Sequence, residues 1–195
     1  ALRGYERIGV DQSPEMLAEA AEKNRGIAPV APIFLCQPME HLDLYGTIDA
    51  CVCCLDSVNY VTEPKKLAQA FARVHLFLMP GGLFLFDINT PEKLESLDGQ
   101  VFLDETEDTY CVWRAEFSHR SRICSYFMDL FRLDEKTGQW NRGEELHRER
   151  AYTTAELTAM LEEAGFHEIK LFGELKMRPP KPSEARIFFT ARKDH

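Results

Sequence analysis

The residues best suited to chemistry in this sequence are polar side chains that directly follow short apolar segments. Asp11 ends the segment 5–11, and Asp56 and Tyr60 follow the segment 48–55. The carboxylate of Asp11 can accept hydrogen bonds from both hydroxyl groups of a ribose, or it can cap the helix that follows. Asp56 and Tyr60 carry groups that can orient a reacting molecule, with helix capping and packing as the alternatives.

A second set of candidates lies in the segment 102–152, where aromatic and basic side chains are concentrated. We predict that Trp113, His147 and Arg150 contact a substrate, together with Asn59 from the earlier loop. An arginine can bind a carboxylate through two parallel hydrogen bonds, so an acidic substrate is one candidate. A structural role is the alternative for the histidine, and the neighbouring charges can form ion pairs between strands.

Strands and helices alternate along most of the chain, and they would position these residues. Ser13 and Pro14 indicate the start of a first helix, and Thr62 is the expected cap of a second helix that ends at Pro80. Nearly continuous apolar strands are typical of parallel sheets covered on both faces. The sequence therefore predicts an α/β fold with a doubly wound, Rossmann-like, mostly parallel sheet that binds ligands beyond its carboxyl ends. Strands are predicted at 5–11, 33–36, 48–55, 83–86, 166–172 and 187–191.

The segment 102–152 has a different periodicity, because polar and apolar residues alternate there. This pattern predicts an antiparallel ribbon with a turn at 134–138. We interpret the segment as a β lobe inserted into one domain that spans 1–195, and Thr153 with Glu156 as a capping box for the last helix. One face of the lobe is predicted to carry Ile123, Phe127, Phe131 and Leu133.

Composition limits the classes of partner. The formal net charge of −9 argues against a nucleic-acid partner, and no apolar run approaches the ~20 residues that cross a bilayer. No signal peptide is recognisable, and only Cys51 and Cys54 stand at C-x-x-C spacing, without the second such pair that structural zinc sites have. We therefore expect a cytoplasmic protein with reduced thiols, no metal and a small-molecule partner, while the oligomeric state stays open.

Four segments resemble, in order and spacing, those of a known family. They are the strand and helix start IGVDQSPEML, the strand and loop DACVCCLDSVNY, the turn and strand LMPGGLFLFD, and the final helix followed by RIFFTARK. This combination is similar to class I S-adenosylmethionine-dependent methyltransferases. The resemblance implies methyl transfer from S-adenosylmethionine to a small molecule, and it implies a C-terminal antiparallel hairpin. Except for the β lobe, the resemblance covers most of the chain.

The resemblance also implies a cofactor site. Asp11 would hold the ribose hydroxyls, and Gln12 and Met16 would pack near the adenine. After the second strand the family often has an acidic residue that binds the adenine amino group, and here Pro38 departs from that pattern. Adenine recognition would then use the side chain of Gln37 or the backbone of Met39. Leu55, at the end of the central strand, would lie near the methionine part of the cofactor.

One family element is missing from the sequence. Class I methyltransferases have a strand and a glycine-rich loop before the segment that corresponds to 8–11, and only seven residues precede Ile8. We expect that these elements belong to a part of the protein that lies before residue 1.

Two other functions remain open. A nicotinamide-dependent oxidoreductase also ends its second strand with an acidic residue that binds ribose. The Ser-x-x-Met-Leu helix start and the Pro-Gly-Gly turn argue against this class. A non-catalytic adenosyl-binding or scaffold relative is the second alternative, because of Pro38 and the missing glycine-rich loop.

Overall fold

A computed structural model of the chain describes residues 4–26 and 30–194, and these form a mixed α/β structure. In chain order the elements are β1 (Ile8–Asp11), α1 (Pro14–Lys23), β2 (Ile33–Cys36), a short 3-10 helix (Met39–His41), β3 (Ile48–Cys53), α2 (Pro64–Phe77), β4 (Leu78–Asn89), α3 (Pro91–Ser96), β5 (Val101–Glu105), β6 (Thr109–Ser118), β7 (Ile123–Asp134), β8 (Gln139–Arg150), α4 (Thr154–Glu163), β9 (Phe166–Gly173) and β10 (Arg186–Lys193).

The central sheet has four strands in the order β3, β4, β10, β9. The pair β3 and β4 is parallel, whereas β10 runs antiparallel to both β4 and β9. The C-terminal antiparallel hairpin is therefore confirmed. Its position places the start of β10 beside the carboxyl end of β4, where Arg186 pairs with Asn89.

Strands β1 and β2 form a separate parallel pair, in which Asp11 is the register partner of Cys36. The expected parallel pairing is thus confirmed, but the expected single continuous sheet is not seen in the part of the chain that the structure describes. The physical reason is that none of the described strands forms a backbone ladder with both β1 and β3. The carboxyl ends of β1 and β2 nevertheless lie side by side, since the Gln37 amide donates to the Asp11 carbonyl at 2.9 Å.

Phenylalanines dominate the core between the central sheet and helices α2 and α4. Phe86 is fully buried and stacks on Phe189 with ring centroids 4.8 Å apart. Phe71 from α2 contacts Phe84 and Phe86 from β4. Burying side chains of this size contributes about 1.5–3 kcal/mol each to folding, so the core fixes the strands whose ends carry the site.

The β lobe is a four-stranded antiparallel sheet in the order β5, β6, β7, β8. Ile123, Phe127, Phe131 and Leu133 share one face of β7, as predicted, and are half-buried, whereas the buried residues Cys124 and Tyr126 lie on the opposite face. The reason is that Leu94 and Leu97, in and just after the unpredicted helix α3, pack under the even-numbered residues of β7.

Two boundaries of the central elements also differ from prediction. The N-cap of α2 is Glu63 instead of Thr62, and its side chain makes no capping bond. Helix α2 ends at Phe77, before the predicted end at Pro80, and β4 begins directly at Leu78. Pro80 therefore lies inside the strand. Gly82 permits this irregular start, because a side chain there would approach the Met79 carbonyl to 2.7 Å. The caps of α1 by Ser13 and of α4 by Thr153 and Glu156 are as predicted.

Candidate functional site

The loop after β3 is held in an unusual conformation. Leu55 and Asp56 both adopt left-handed backbone angles, with φ of 59° and 50°. Such angles are costly for residues other than glycine and persist only when surrounding structure fixes them. The buried carboxylate of Asp87 on β4 does so, because it accepts the Leu55 amide at 2.8 Å and the Asp56 amide at 3.1 Å. The backbone at the end of the central strand is therefore pre-organised.

Arg186 at the start of β10 completes this anchor. Its guanidinium donates to Asp56 at 2.6 Å and also bonds to the carboxylate of Asp87. Burial lowers the pKa of Arg186, but the hydrogen bonds from these two carboxylates outweigh burial and raise it. The guanidinium therefore stays charged and holds Asp56 in place. The predicted catalytic role of Asp56 stays a prediction.

Asn59 is fully buried and links this loop to the β lobe. Its amide group donates to the carbonyls of Asn89 at 3.1 Å and of Arg150 at 3.0 Å, and its side-chain oxygen accepts the Asn89 amide at 3.0 Å. All of these partners are backbone groups. The structure thus gives Asn59 a positioning role, and substrate contact by this side chain stays a prediction.

Glu149 on β8 is a second buried carboxylate near this loop, with 3% of its surface exposed. It accepts a hydrogen bond from the Asn89 side chain at 2.9 Å. Burial raises the pKa of Glu149, the bond from Asn89 opposes this, and the charge of Asp56 adds to the increase. The raised pKa means that the folded protein binds this proton more tightly than the unfolded chain does.

This carboxylate gives a stability prediction. The contribution of Glu149 to the free energy of unfolding falls as the pH rises from about 4.5 towards the raised pKa, because the folded state must then bury a charge. Glutamine carries no charge at any of these pH values, so we expect Glu149→Gln to abolish this fall in the free energy of unfolding. The variant should be about 1 kcal/mol more stable than the wild type at pH 7. Urea unfolding at pH 4 and pH 7 checks it. A variant that is less stable at pH 7 but not at pH 4 would show that the charge stabilises the fold.

Tyr60, His147 and Glu145 form a hydrogen-bonded chain at the surface between the loop and β8. The Tyr60 hydroxyl lies 3.3 Å from His147 Nδ1, and His147 Nε2 lies 2.9 Å from the Glu145 carboxylate. The Tyr60 and His147 rings meet edge to face with centroids 5.8 Å apart. Burial raises the pKa of Tyr60 to about 12, with the charges of Glu149 and Asp56 adding to it. The structure thus brings two predicted site residues, Tyr60 and His147, into contact.

The other lobe candidates divide between the two faces of the sheet. Trp113 lies on the face of His147, since its ring contacts Tyr126 at 5.7 Å and Tyr126 is the register partner of His147. Arg150 lies on the other face, where it donates to the Ser121 carbonyl at 3.1 Å and covers the Tyr152 ring. Successive strand residues point to opposite faces. The role of Arg150 in substrate binding stays a prediction.

The predicted cofactor residues lie at the carboxyl ends of β1 and β2. One oxygen of the Asp11 carboxylate accepts the Ser13 amide at 2.8 Å, and the other has no partner among the described residues. Met16 lies one helical turn further on and is 61% exposed, and Gln12 is also exposed. A free carboxylate oxygen beside an exposed apolar side chain suits a ribose that carries an aromatic base. These residues fit a nucleoside cofactor.

The residues after β2 are less available for adenine recognition than the sequence predicts. The side chain of Gln37 is held by the backbone of Asp43, since it donates to the Asp43 carbonyl at 3.2 Å and accepts the Asp43 amide at 2.9 Å. Pro38 then precedes the short 3-10 helix that begins at Met39. These two bonds fix the orientation of the Gln37 amide and leave it one N–H and one lone pair for an adenine. The backbone at Met39 is the simpler candidate.

Two further features of the described residues concern membranes and metal ions. None of the helices in 4–26 and 30–194 is long and apolar enough to cross a membrane. Within the same ranges, no group of three or more histidine, cysteine, aspartate or glutamate side chains is arranged to hold a metal ion.

Comparisons with known proteins agree with this arrangement. A family model described as a methyltransferase domain matches residues 1–82. YqeM of Bacillus subtilis (strain 168), which is provisionally named a methyltransferase, is 29% identical over 195 residues that cover 99% of this chain and 77% of that protein. The crystal structure of an S-adenosylmethionine-dependent methyltransferase from Clostridium acetobutylicum ATCC 824 matches with a TM-score of 0.88 and 27% identity, covering 98% of this chain and 76% of that one.

A more distant structure shares the fold. CalS10, an amino pentose methyltransferase from Micromonospora echinaspora, has a TM-score of 0.73 at 22% identity over 96% of this chain and 74% of its own. The family model that matches residues 1–82, the curated relative and the solved structures are thus all described as methyltransferases, and the chain is similar to each of them.

Proposed function

We propose that this chain transfers a methyl group from S-adenosylmethionine to a small-molecule acceptor at the carboxyl ends of β1 and β3. The observation that carries the proposal is the Asp11 carboxylate, which ends β1 with one oxygen that has no partner among the described residues and is followed in the first turn of α1 by the exposed side chain of Met16. When bound, the cofactor supplies an electrophilic methyl sulfonium. The protein then needs only to align a nucleophile, accept its proton and exclude water.

On the cofactor side, each residue has a distinct role. Asp11 accepts hydrogen bonds from the ribose hydroxyls, and Met16 and Gln12 cover the adenine. Because Gln37 is tied to Asp43 and Pro38 has no amide hydrogen, the backbone at Met39 is the simpler candidate to contact the adenine edge. A single backbone contact gives weaker selection for adenine than a carboxylate does.

On the acceptor side, two parts of the chain form the walls of the acceptor site. They are the rigid loop from Leu55 to Tyr60 and the face of the β lobe that carries Trp113 and His147. Asp87 fixes the backbone of Leu55, which supports the methionine part of the cofactor. Tyr60, Trp113 and His147 present their polar and aromatic groups to the acceptor, and Asp56 orients the loop through Arg186. The α/β domain with its doubly wound sheet thus provides the cofactor side, and the inserted lobe provides the acceptor side.

We further propose that residues 1–195 act as one domain, with the lobe at about 102–152, and that the protein works in the cytoplasm. All six cysteines are free thiols, as a reducing compartment would keep them. The buried thiols among them also resist ionisation, because burial raises the pKa of Cys51 to about 11. They are therefore packing residues and not nucleophiles.

Calorimetric titration of the full chain tests the cofactor assignment. S-adenosylhomocysteine is expected to bind with micromolar affinity, and reduced nicotinamide dinucleotide is expected not to bind. Binding of the dinucleotide alone would favour an oxidoreductase. Binding of S-adenosylhomocysteine without methyl transfer to any compound in a metabolite extract would favour a non-catalytic adenosyl-binding relative.

A further inference from the structure

The chain of Tyr60, His147 and Glu145 joins side chains that come from two separate parts of the fold. Tyr60 follows β3 in the rigid loop, whereas His147 and Glu145 are two residues apart on the same face of β8. The Arg150 amide donates to the Asn59 carbonyl at 2.8 Å, so the backbone on both sides of this contact is fixed. The contact between loop and lobe is therefore part of the folded structure.

The donors and acceptors in this chain have a defined order. An ionised Glu145 carboxylate can only accept, so His147 Nε2 carries the hydrogen and His147 Nδ1 is left with a lone pair. The Tyr60 hydroxyl then donates to Nδ1. This leaves the lone pairs of the tyrosine oxygen directed away from the histidine. Tyr60 is 42% exposed, so a small molecule can reach that oxygen.

We propose that Tyr60, His147 and Glu145 form a proton relay that removes the proton from a hydroxyl or ammonium group of the methyl acceptor. This inference rests on the proposed methyl transfer. As the acceptor atom gains the methyl group, the bond between that methyl and sulfur breaks and its electron pair stays on sulfur. The acceptor proton passes to the oxygen of Tyr60, and the tyrosine proton passes to His147 Nδ1, which forms an imidazolium beside Glu145.

The surroundings suit this role. The titratable groups that face the relay from the loop, from β7 and from β8 are Asp56, Tyr126 and Glu149. A Tyr60 pKa of about 12 keeps the phenol protonated at neutral pH, so Tyr60 passes a proton on and does not store a negative charge. Tyr60 is the catalytic residue that touches the acceptor, while His147 and Glu145 position and receive the proton.

The relay predicts a class of acceptor. It serves a nitrogen or oxygen nucleophile that carries a proton at neutral pH, such as a primary amine, a phenol or an alcohol. A thiolate or another acceptor that is already deprotonated would gain nothing from it. Trp113, which meets the buried Tyr126 edge to face, adds an aromatic ring on the same side of the lobe as His147.

Nuclear magnetic resonance of ring-labelled histidine tests the relay without turnover. In the wild-type protein the His147 ring is expected to be the tautomer protonated on Nε2. Glu145→Gln is expected to lose this preference, and the matched control Glu144→Gln to keep it, because Glu144 faces the other side and pairs with Arg142. A wild-type ring protonated on Nδ1, or an unchanged ring in Glu145→Gln, would overturn the proposal.

Transfer of tritium from methyl-labelled S-adenosylmethionine to a panel of primary amines, phenols and alcohols tests it in turnover. Tyr60→Phe and His147→Gln are expected to lower kcat at least 100-fold, and Glu145→Gln about 10-fold. The control His167→Gln removes another surface histidine that pairs with a carboxylate, and it should leave kcat unchanged. The low-pH decline of the rate should also disappear in His147→Gln.

The outcomes separate this proposal from the proposed function. Unchanged kcat and pH profile in His147→Gln would overturn the relay while leaving the methyltransferase intact. Wild-type protein that binds S-adenosylhomocysteine but methylates no member of the panel would overturn it for these acceptors. Failure of the wild type to bind S-adenosylhomocysteine would instead contradict the proposed function.

Discussion

Asp87→Ala is expected to lower the free energy of unfolding by about 3–5 kcal/mol, the range seen when one member of a buried charged network is removed. Asp87 is 1% exposed and accepts the amides of Leu55 and Asp56 while it pairs with Arg186. Its loss leaves two amides and a guanidinium short of partners. It also releases a loop whose backbone angles are unfavourable without an anchor.

Urea-induced unfolding measures this loss, and calorimetry of the same variant should show weaker binding of S-adenosylhomocysteine. Asp49→Ala is the matched control, because Asp49 is an exposed aspartate on β3, and it should change stability by less than about 0.5 kcal/mol. Asp87→Asn should lie between the two, since its amide keeps one acceptor oxygen. Equal stability of Asp87→Ala and Asp49→Ala would mean that the loop does not depend on this carboxylate.

Asn59→Ala is expected to lower the free energy of unfolding by about 3 kcal/mol, because each buried polar group left without a partner costs about 1–3 kcal/mol. Three backbone groups, from Asn89 and Arg150, bond to this one side chain. The substitution therefore detaches the β lobe from the loop that carries Tyr60. Catalysis should fall even where enough folded protein remains.

Chemical unfolding and hydrogen exchange check this prediction. Faster exchange of the Asn89 and Arg150 amides in Asn59→Ala would locate the damage at the junction between lobe and sheet. Asn141→Ala removes an exposed asparagine of β8 and should change stability by less than about 0.5 kcal/mol. An Asn59→Ala protein as stable as this control would contradict the positioning role.

Local signals explain what could be predicted about the fold. Ser13 and Pro14 mark the start of α1, and Thr153 with Glu156 mark that of α4, because caps act within one helical turn. The buried face of β7 could not be predicted. Apolar residues occur on both sides of that strand, and the choice between them depends on Leu94 and Leu97 from a distant helix.

The site could likewise be predicted only where local signals mark it. Strand ends pointed to Asp11, Asp56 and Tyr60, because ligands of α/β sheets bind there. Arg186 was not predicted, since its bond to Asp56 spans 130 residues and no local pattern records it. Asp87 had a usable signal, because it is an acidic residue that follows an apolar run, as Asp11 does. Glu145 had none, because the alternating charges of β8 look alike until the strand's faces are known.

Titration with S-adenosylhomocysteine of two variants in the turn between β1 and α1 is the most direct test. Asp11→Ala removes the bond to the Ser13 amide, and Ser13→Ala removes the hydroxyl's bonds to the Met16 amide and to Glu15, but only Asp11→Ala removes the ribose-binding carboxylate. We expect Ser13→Ala to bind like the wild type and Asp11→Ala to bind at least about 100-fold more weakly, the loss of two charge-assisted bonds. Equal affinity in the two variants would contradict a cofactor whose ribose is held by Asp11.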